Sequence, residues 1–374
     1  MMLLEYNFRK YNIRLVLYVL LLNLLGIMVI RSATNQNAAL VGKQVMGIIV
    51  GFSIVLILSL LDYHKILSLW MLNYMVCVAG LAAVLLFGER VNNATRWLKL
   101  PGIGQIQPSE FVKIGLVAFF AWYFSKHQEK LNRVGVLLMA GGLFSVLFLL
   151  IFKEPDLSTG LVTMFVFLCM LFVAGLSYKW IFGAMAVAVP LGGLMVYLFQ
   201  YDMVPFLEGY QVRRILAFVN PEKYAEANLQ QDNSIMAIGS GMLHGKGLNN
   251  NTLASVKNGN FLSEEQTDFI FAVIGEELGF VGCACVILLI ALITYECLLM
   301  AARAKDLAGT LVCTGMAALI AFQSFANIAV ATGVFPNTGL PLPFVSYGVS
   351  SLLSIYIGIG LALNVGLQRK LSNY

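Results

Sequence analysis

Apolar residues run along the chain in blocks of about twenty, without amphipathic stripes, and polar residues collect in the gaps between blocks. About 20 mostly apolar helical residues cross the ~30 Å hydrocarbon core of a bilayer. The blocks therefore predict spans over about 13–31, 45–61, 67–88, 108–125, 134–152, 157–175, 180–199, 280–301, 307–332 and 346–367. The run holding the eighth of these begins at 269, which leaves room for a short helix ahead of the span. One polar stretch, 200–268, interrupts the rhythm as a large loop between the seventh and eighth spans. The expectation is an all-α polytopic membrane protein of about ten transmembrane helices, with residues 1–374 forming a single integral membrane domain and no internal repeat.

Composition agrees with the pattern. Of 374 residues, 59% are hydrophobic and 11% charged, against about 45–50% and about 25% in soluble domains. A soluble enzyme, a disordered regulator and a disulfide-stapled secreted module are excluded. The net charge of +5 does not signal nucleic acid, because the basic residues are scattered over short loops and form no stripe. They set topology instead. With the N-terminus inside, the inner segments carry Arg9, Lys10, Arg14, Lys65, Lys126, Lys130, Arg133, Lys179, Arg303, Lys305, Arg369 and Lys370. The short outer loops carry fewer: Lys43, Arg90, Arg96, Lys99 and Lys153. Both termini are expected in the cytoplasm and 200–268 outside. Trp70, Trp97, Trp122 and Trp180 fall near span ends, where aromatic belts form. Arg9, Lys10 and Arg14 before an apolar run resemble a signal peptide, but no small-residue cleavage site follows, so the segment is expected to stay attached. The six cysteines lie in or beside apolar runs and read as packing residues; Cys283 and Cys285 point to different sides of a helix, poor geometry for a metal.

Charge inside or beside a span is expensive, so the remaining ionisable residues need a reason. Glu110 and Lys113, three apart after Gln107-Pro108-Ser109, share a helix face and can pair, as structural support or as part of a site. Asp156, in Lys153-Glu154-Pro155-Asp156, suits either a helix N-cap or a site carboxylate. Arg213 and Arg214 in the outer loop suit a diphosphate clamp or a lipid-headgroup anchor. Asp268 stands at the mouth of an apolar helix, where partial burial can tune a carboxylate toward general-base work. Glu276 lies eight residues on, about two turns deeper on the same face. The glycine-rich Gly239–Gly247 stretch fails as a phosphate loop, with Ser240 and Gly247 at the wrong places. It reads as a tight backbone fold over a ligand or against the bilayer. His64, His127 and His244 lack metal-ligand spacing.

These motifs resemble the SEDS family (shape, elongation, division and sporulation), nearest its RodA branch. The matching residues are Arg96-Trp97-Leu98, Gln107-Pro108-Ser109-Glu110 with Lys113, Pro155-Asp156-Leu157, and Tyr210-Gln211 with Arg213. They continue through Gly239-Ser240-Gly241 with Gly245-Lys246-Gly247, Thr267-Asp268-Phe269-Ile270-Phe271 with Glu276-Glu277-Leu278-Gly279, and Pro336–Phe344 with Ser346-Tyr347-Gly348. The chain departs from the family at Glu154, where glutamine is usual, at Val349, where a second glycine often stands, and at Ser263, usually proline. Short terminal tails lean towards RodA.

The resemblance implies a peptidoglycan glycosyltransferase at the outer face of the bacterial cytoplasmic membrane, polymerising lipid II into β-1,4 glycan for elongation and shape. Its substrates would be lipid II and a polyprenyl-diphosphate-linked glycan, and its partner a class B penicillin-binding protein. Asp268 matches the family's essential outer aspartate and Glu110–Lys113 its buried ion pair. Asp268 would take the proton of the attacking sugar hydroxyl. Arg213, Arg214 or Lys246 would steady the departing diphosphate, with a divalent cation, Mg or Mn, implied by the family alone and no organic cofactor. Asp156, Glu276 and Ser346 complete the candidate substrate-binding or supporting set. Two other readings stand beside it: a lipid II flippase using Glu110 and Lys113 as its path, and a non-catalytic scaffold for the penicillin-binding protein.

Overall fold

A computed structural model describes residues 11–91, 94–100, 104–200, 216, 218, 224–249, 255 and 265–368. Seven of its helices are long and apolar enough to cross a membrane: α1 (Ile13–Ala33), α2 (Ala38–Leu60), α4 (Trp70–Phe87), α6 (Val134–Lys153), α10 (Ile270–Ala302), α11 (Leu307–Ala331) and α12 (Val349–Leu367). Between them run α5 (Pro108–Lys126), α7 (Leu157–Val173) and α8 (Tyr178–Gln200), with a short α3 (Tyr63–Ser68) before α4 and α9 (Ala225–Ser240) inside the polar stretch.

The helix starts follow local chemistry. Asn12, Asn37, Asp62, Asp156 and Asp306 each accept a backbone N–H in the first turn of α1, α2, α3, α7 and α11. Pro108 opens α5, where its missing N–H costs nothing. The Asn37 cap explains why α2 begins at Ala38 and not near 45: Lys43 and Gln44 fall inside the helix, and buried Gln44 reaches Ser346 O at 3.2 Å.

Helices α5, α11 and α12 form the interior, and α6 turns Leu138, Met139 and Leu149 outward, as a lipid-facing helix does. Small residues let the interior helices approach closely. A Cβ at Gly315 would meet Val117, and one at Gly51 would enter the Tyr356 ring. All six cysteines are free; Cys283 is buried and Cys285 exposed, on different sides of α10 as their spacing requires.

One element departs from the all-helical expectation. Three strands, β1 (Glu89–Val91), β2 (Ala94–Leu100) and β3 (Gly104–Ile106), form an antiparallel sheet in that order. Leu98 pairs with Ile106 and Leu100 with Gly104. The physical reason is in β2, whose Thr95-Arg96-Trp97-Leu98-Lys99-Leu100 mixes polar and β-favouring residues with no helical period. At one end of the bundle the sheet, the α6–α7 turn, the 336–348 strap and residues 265–269 are joined in that order by hydrogen bonds, and residues 242–249 bond to α10 and to Ser32.

At the opposite end, His64 bridges two carboxylates, Asp62 at 2.9 Å and Asp306 at 2.7 Å, and Tyr63 donates to Asp306 at 2.7 Å. Gln368 past α12 donates to Asp62 at 3.1 Å, so the cluster ties the α2–α3 and α10–α11 junctions to the end of α12.

Candidate functional site

Asp268 sits in the turn that leads into α10, half-buried. Three consecutive backbone carbonyls hold that turn. Gln266 O accepts from Tyr347 N at 2.9 Å, Thr267 O from the Ser346 hydroxyl at 2.6 Å, and Asp268 O from the Asn327 amide at 2.8 Å. Ser346 in turn accepts from Leu342 N at 2.7 Å, and the same Asn327 amide nitrogen donates to Leu340 O at 2.7 Å. The strap after α11 and the turn before α10 are thus laced together by two buried polar side chains, fixing the backbone that carries the Asp268 carboxylate.

One turn earlier on α11, Gln323 donates to Pro341 O at 2.9 Å and accepts from Lys113 Nζ at 2.8 Å. Lys113 also pairs with Glu110 at 2.8 Å, both side chains almost fully buried. The i,i+3 spacing therefore produces the expected pair, and its cation also anchors the strap. Neutral amides in an apolar helix escape a search based on charge. The available signal was the i,i+4 spacing of Gln323 and Asn327, two amides on one face of α11.

The α6–α7 turn supplies a second cluster. Asp156 caps α7, accepting from Thr159 N at 3.2 Å and the Thr159 hydroxyl at 2.9 Å. Gln107 donates at 3.3 Å to the oxygen that accepts the Thr159 hydroxyl, and the Arg96 guanidinium lies 3.9 Å from the other oxygen. Arg96 also donates to the backbone carbonyls of Glu154 and Pro155. Ser158 donates to Thr338 O, joining this turn to the strap. Asp156 is therefore both cap and site neighbour. Glu154 is buried between these groups, and burial, strengthened by the Asp156 charge and only partly opposed by Arg96, pushes its carboxyl up to about 9.

Glu276, eight residues on from Asp268, is buried. It pairs with Lys246 at 2.8 Å, and neighbouring Glu277 accepts from the Ser32 hydroxyl at 2.5 Å. Just beyond these two residues α10 breaks at Gly279, whose φ of 65° and ψ of −163° belong to a region open essentially to glycine alone. In an unbroken helix the N–H groups of Phe280 and Val281 would bond the carbonyls of Glu276 and Glu277. Here they bond Met242 O at 2.9 Å and Leu243 O at 3.2 Å. The orphaned carbonyls accept Lys246 N at 2.9 Å and Gly247 N at 3.0 Å. The glycine-rich segment thus stands in for a missing helical turn. Glycine is required at 245, where φ is 77° and a Cβ would lie 2.2 Å from Glu277 O.

Arg213 and Arg214 lie outside the described residues. Among the described residues no three His, Cys, Asp or Glu side chains gather to hold a metal ion. Asp156, Glu110 and Glu276 already have protein partners, so these residues form no cage for a divalent cation.

The FTSW_RODA_SPOVE family model, described as cell cycle protein, matches residues 13–371. The probable peptidoglycan glycosyltransferase FtsW of Trichlorobacter lovleyi is 34% identical over 384 residues, covering 98% of this chain and 96% of that protein. A chain from a structure described as structural coordination of polymerization and crosslinking by a peptidoglycan synthase complex superposes with a TM-score of 0.79 at 28% identity, covering 95% of this chain and 97% of that one. The rod shape determining protein RodA of Thermus thermophilus superposes at 0.70 with 27% identity, covering 97% and 98%.

Proposed function

Because this chain belongs to the FtsW/RodA/SpoVE family of cell cycle proteins, we propose that it is a peptidoglycan glycosyltransferase that polymerises lipid II at the outer face of the cytoplasmic membrane. Ten spans with both termini in the cytoplasm put the Asp268 end outside, where the wall is built. The observation that carries the reading is the lacing of residues 266–268: a carboxylate at a helix mouth has its backbone fixed on three successive carbonyls. A general base needs such fixed geometry, since small displacements of a reacting group are costly in rate.

In this reading Asp268 removes the proton from the 4-hydroxyl of lipid II as that oxygen attacks the anomeric carbon of a polyprenyl-diphosphate-linked glycan. The new C–O bond forms as the bond to diphosphate breaks, with inversion, giving the β-1,4 link. Arg213 and Arg214 take the charge of the departing diphosphate. Lys246, whose side chain is partly exposed beside Glu276, assists them in this reading. A divalent cation, implied by the family alone, would add to this neutralisation of the diphosphate charge. An apolar cavity of about 430 Å³, lined by Trp70, Val76, Phe111, Ala118 and Ile357, suits part of a polyprenyl chain. The partner is a class B penicillin-binding protein, and the cellular role is elongation and shape.

The test is glycan synthesis by purified protein with lipid II, Mg or Mn, and the partner. Asp268→Asn is expected to lose about 10²–10⁴-fold of the rate while its unfolding midpoint and partner binding stay as in wild type. Full activity in that variant refutes the assignment of the base. A wild type that moves lipid II across vesicles without polymerising it favours the flippase. Depletion in the parent cell should give rounded cells; filaments would instead assign the chain to division.

A further inference from the structure

The α6–α7 turn holds a carboxyl that the reaction outlined above does not use. Glu154 is 0% exposed, and neither of its carboxyl oxygens has a hydrogen-bonding partner among the described residues. The charged groups facing it are Asp156, two residues along the same turn, and Arg96 from β2. Arg96 is committed elsewhere: its N–H groups go to the carbonyls of residues 154 and 155, and it lies 3.9 Å from Asp156. A carboxylate here would be dry, without a donor, and beside a second negative charge. All three conditions favour the neutral acid.

We infer that Glu154 is a positioning residue of this site that works in its protonated form, leaving Arg96 to hold the turn and Asp156. Loss of the proton puts a second carboxylate in competition for the one guanidinium and in repulsion with Asp156. The turn is joined through Ser158 to Thr338, and the strap beyond it through Asn327 to the Asp268 backbone, so a disturbed turn reaches the reacting end of the site. The role in catalysis rests on the polymerase reading; the protonation of Glu154 does not.

Two measurements on the full-length protein separate them: glycan synthesis and thermal unfolding from pH 5 to 10, in wild type, Glu154→Gln and Glu154→Leu. Glutamine keeps a neutral, donor-bearing side chain, whereas leucine keeps neither donor nor acceptor. With its pKa near 9, Glu154 is about one-tenth protonated at pH 10. Wild-type activity should therefore fall about tenfold between pH 7.5 and 10, a fall that Glu154→Gln and Glu154→Leu both lack, since neither carries a charge to compete for Arg96. For unfolding, the native acid keeps a proton that the unfolded chain releases above its ordinary range, so stability declines with pH from about 4.3 to about 9. The wild-type midpoint should fall progressively behind that of Glu154→Gln across that window. Matching alkaline limbs in wild type and Glu154→Gln overturn the positioning role. Parallel unfolding profiles overturn the protonated carboxyl whatever the activity shows. A wild type that makes no polymer at any pH, with the unfolding gap present, refutes the polymerase reading and leaves the protonation of Glu154 standing.

Discussion

Asn327 provides a sharp test of how the site is held. Its amide nitrogen donates to Asp268 O at 2.8 Å and Leu340 O at 2.7 Å, from a side chain 1% exposed. Each such bond contributes about 0.5–1.5 kcal/mol net, so removing both in Asn327→Ala withdraws roughly 1–3 kcal/mol. If that energy is spent on holding the Asp268 turn, it converts to a loss of about 5- to 150-fold in the rate of polymer synthesis, with lipid II affinity unchanged. Asn327→Asp is the discriminating companion. It preserves the shape but aims an oxygen at two carbonyls, so it should be at least as damaging as alanine. Initial rates of glycan formation at saturating lipid II, paired with thermal unfolding in detergent, measure both. A variant that unfolds more easily yet polymerises within twofold of wild type would show that the lacing serves stability alone.

Three further perturbations probe other parts. Lys113→Met strands Glu110 in the bundle and should cost about 3–5 kcal/mol; Glu110→Met with Lys113→Met should recover much of it, and failure to recover would show that the strap contact to Gln323 dominates. Gly279→Ala forces a non-glycine φ of 65° and sets a Cβ 2.4 Å from Gly245 N, which should cost roughly 2–5 kcal/mol from backbone strain and overpacking; an unfolding midpoint equal to wild type would refute the close packing. At the other end, burial pulls the His64 imidazole down, but its bonds to Asp62 and Asp306 outweigh that and leave it raised. Its stabilising charge is then complete below about pH 6.5 and is lost as pH rises through the higher native value, so wild type should lose stability relative to His64→Gln on going from pH 6 to 8.5; no difference in slope would refute the clasp.

How much of this was legible in the sequence depends on distance along the chain. The Glu110–Lys113 pair and the Asp156 cap are local, set by helical spacing and by the first turn, and both stand where the residues alone place them. The partners of Lys246 and Ser346 are not local. Glu276 is 30 residues from Lys246, and Thr267 is 79 residues from Ser346, so no periodicity connects them. The sheet was hidden for another reason: strands of three residues leave too little alternation to stand out within a polar gap. Asn327 and Gln323 were overlooked because they carry no charge, although an amide in an apolar helix also needs a partner. Glu154, by contrast, is conspicuous in the sequence as an acid next to Pro155-Asp156, yet its burial and lack of partners are facts of packing.

The break at Gly279 also determines how force travels through the molecule. A continuous helix is a rod that carries displacement along its axis. The α10 rod is cut, and its halves are sewn to the 242–247 segment by four backbone bonds. That segment continues directly from α9, which is itself fastened to the end of α11 by Gln231 and Ser234. The piece bearing Asp268 at its tip is therefore coupled sideways to α9 as well as lengthwise to the rest of α10. A load applied to α9 has a direct mechanical route to the carboxylate, and it need not tilt the longer half of α10 beyond Gly279 to use it.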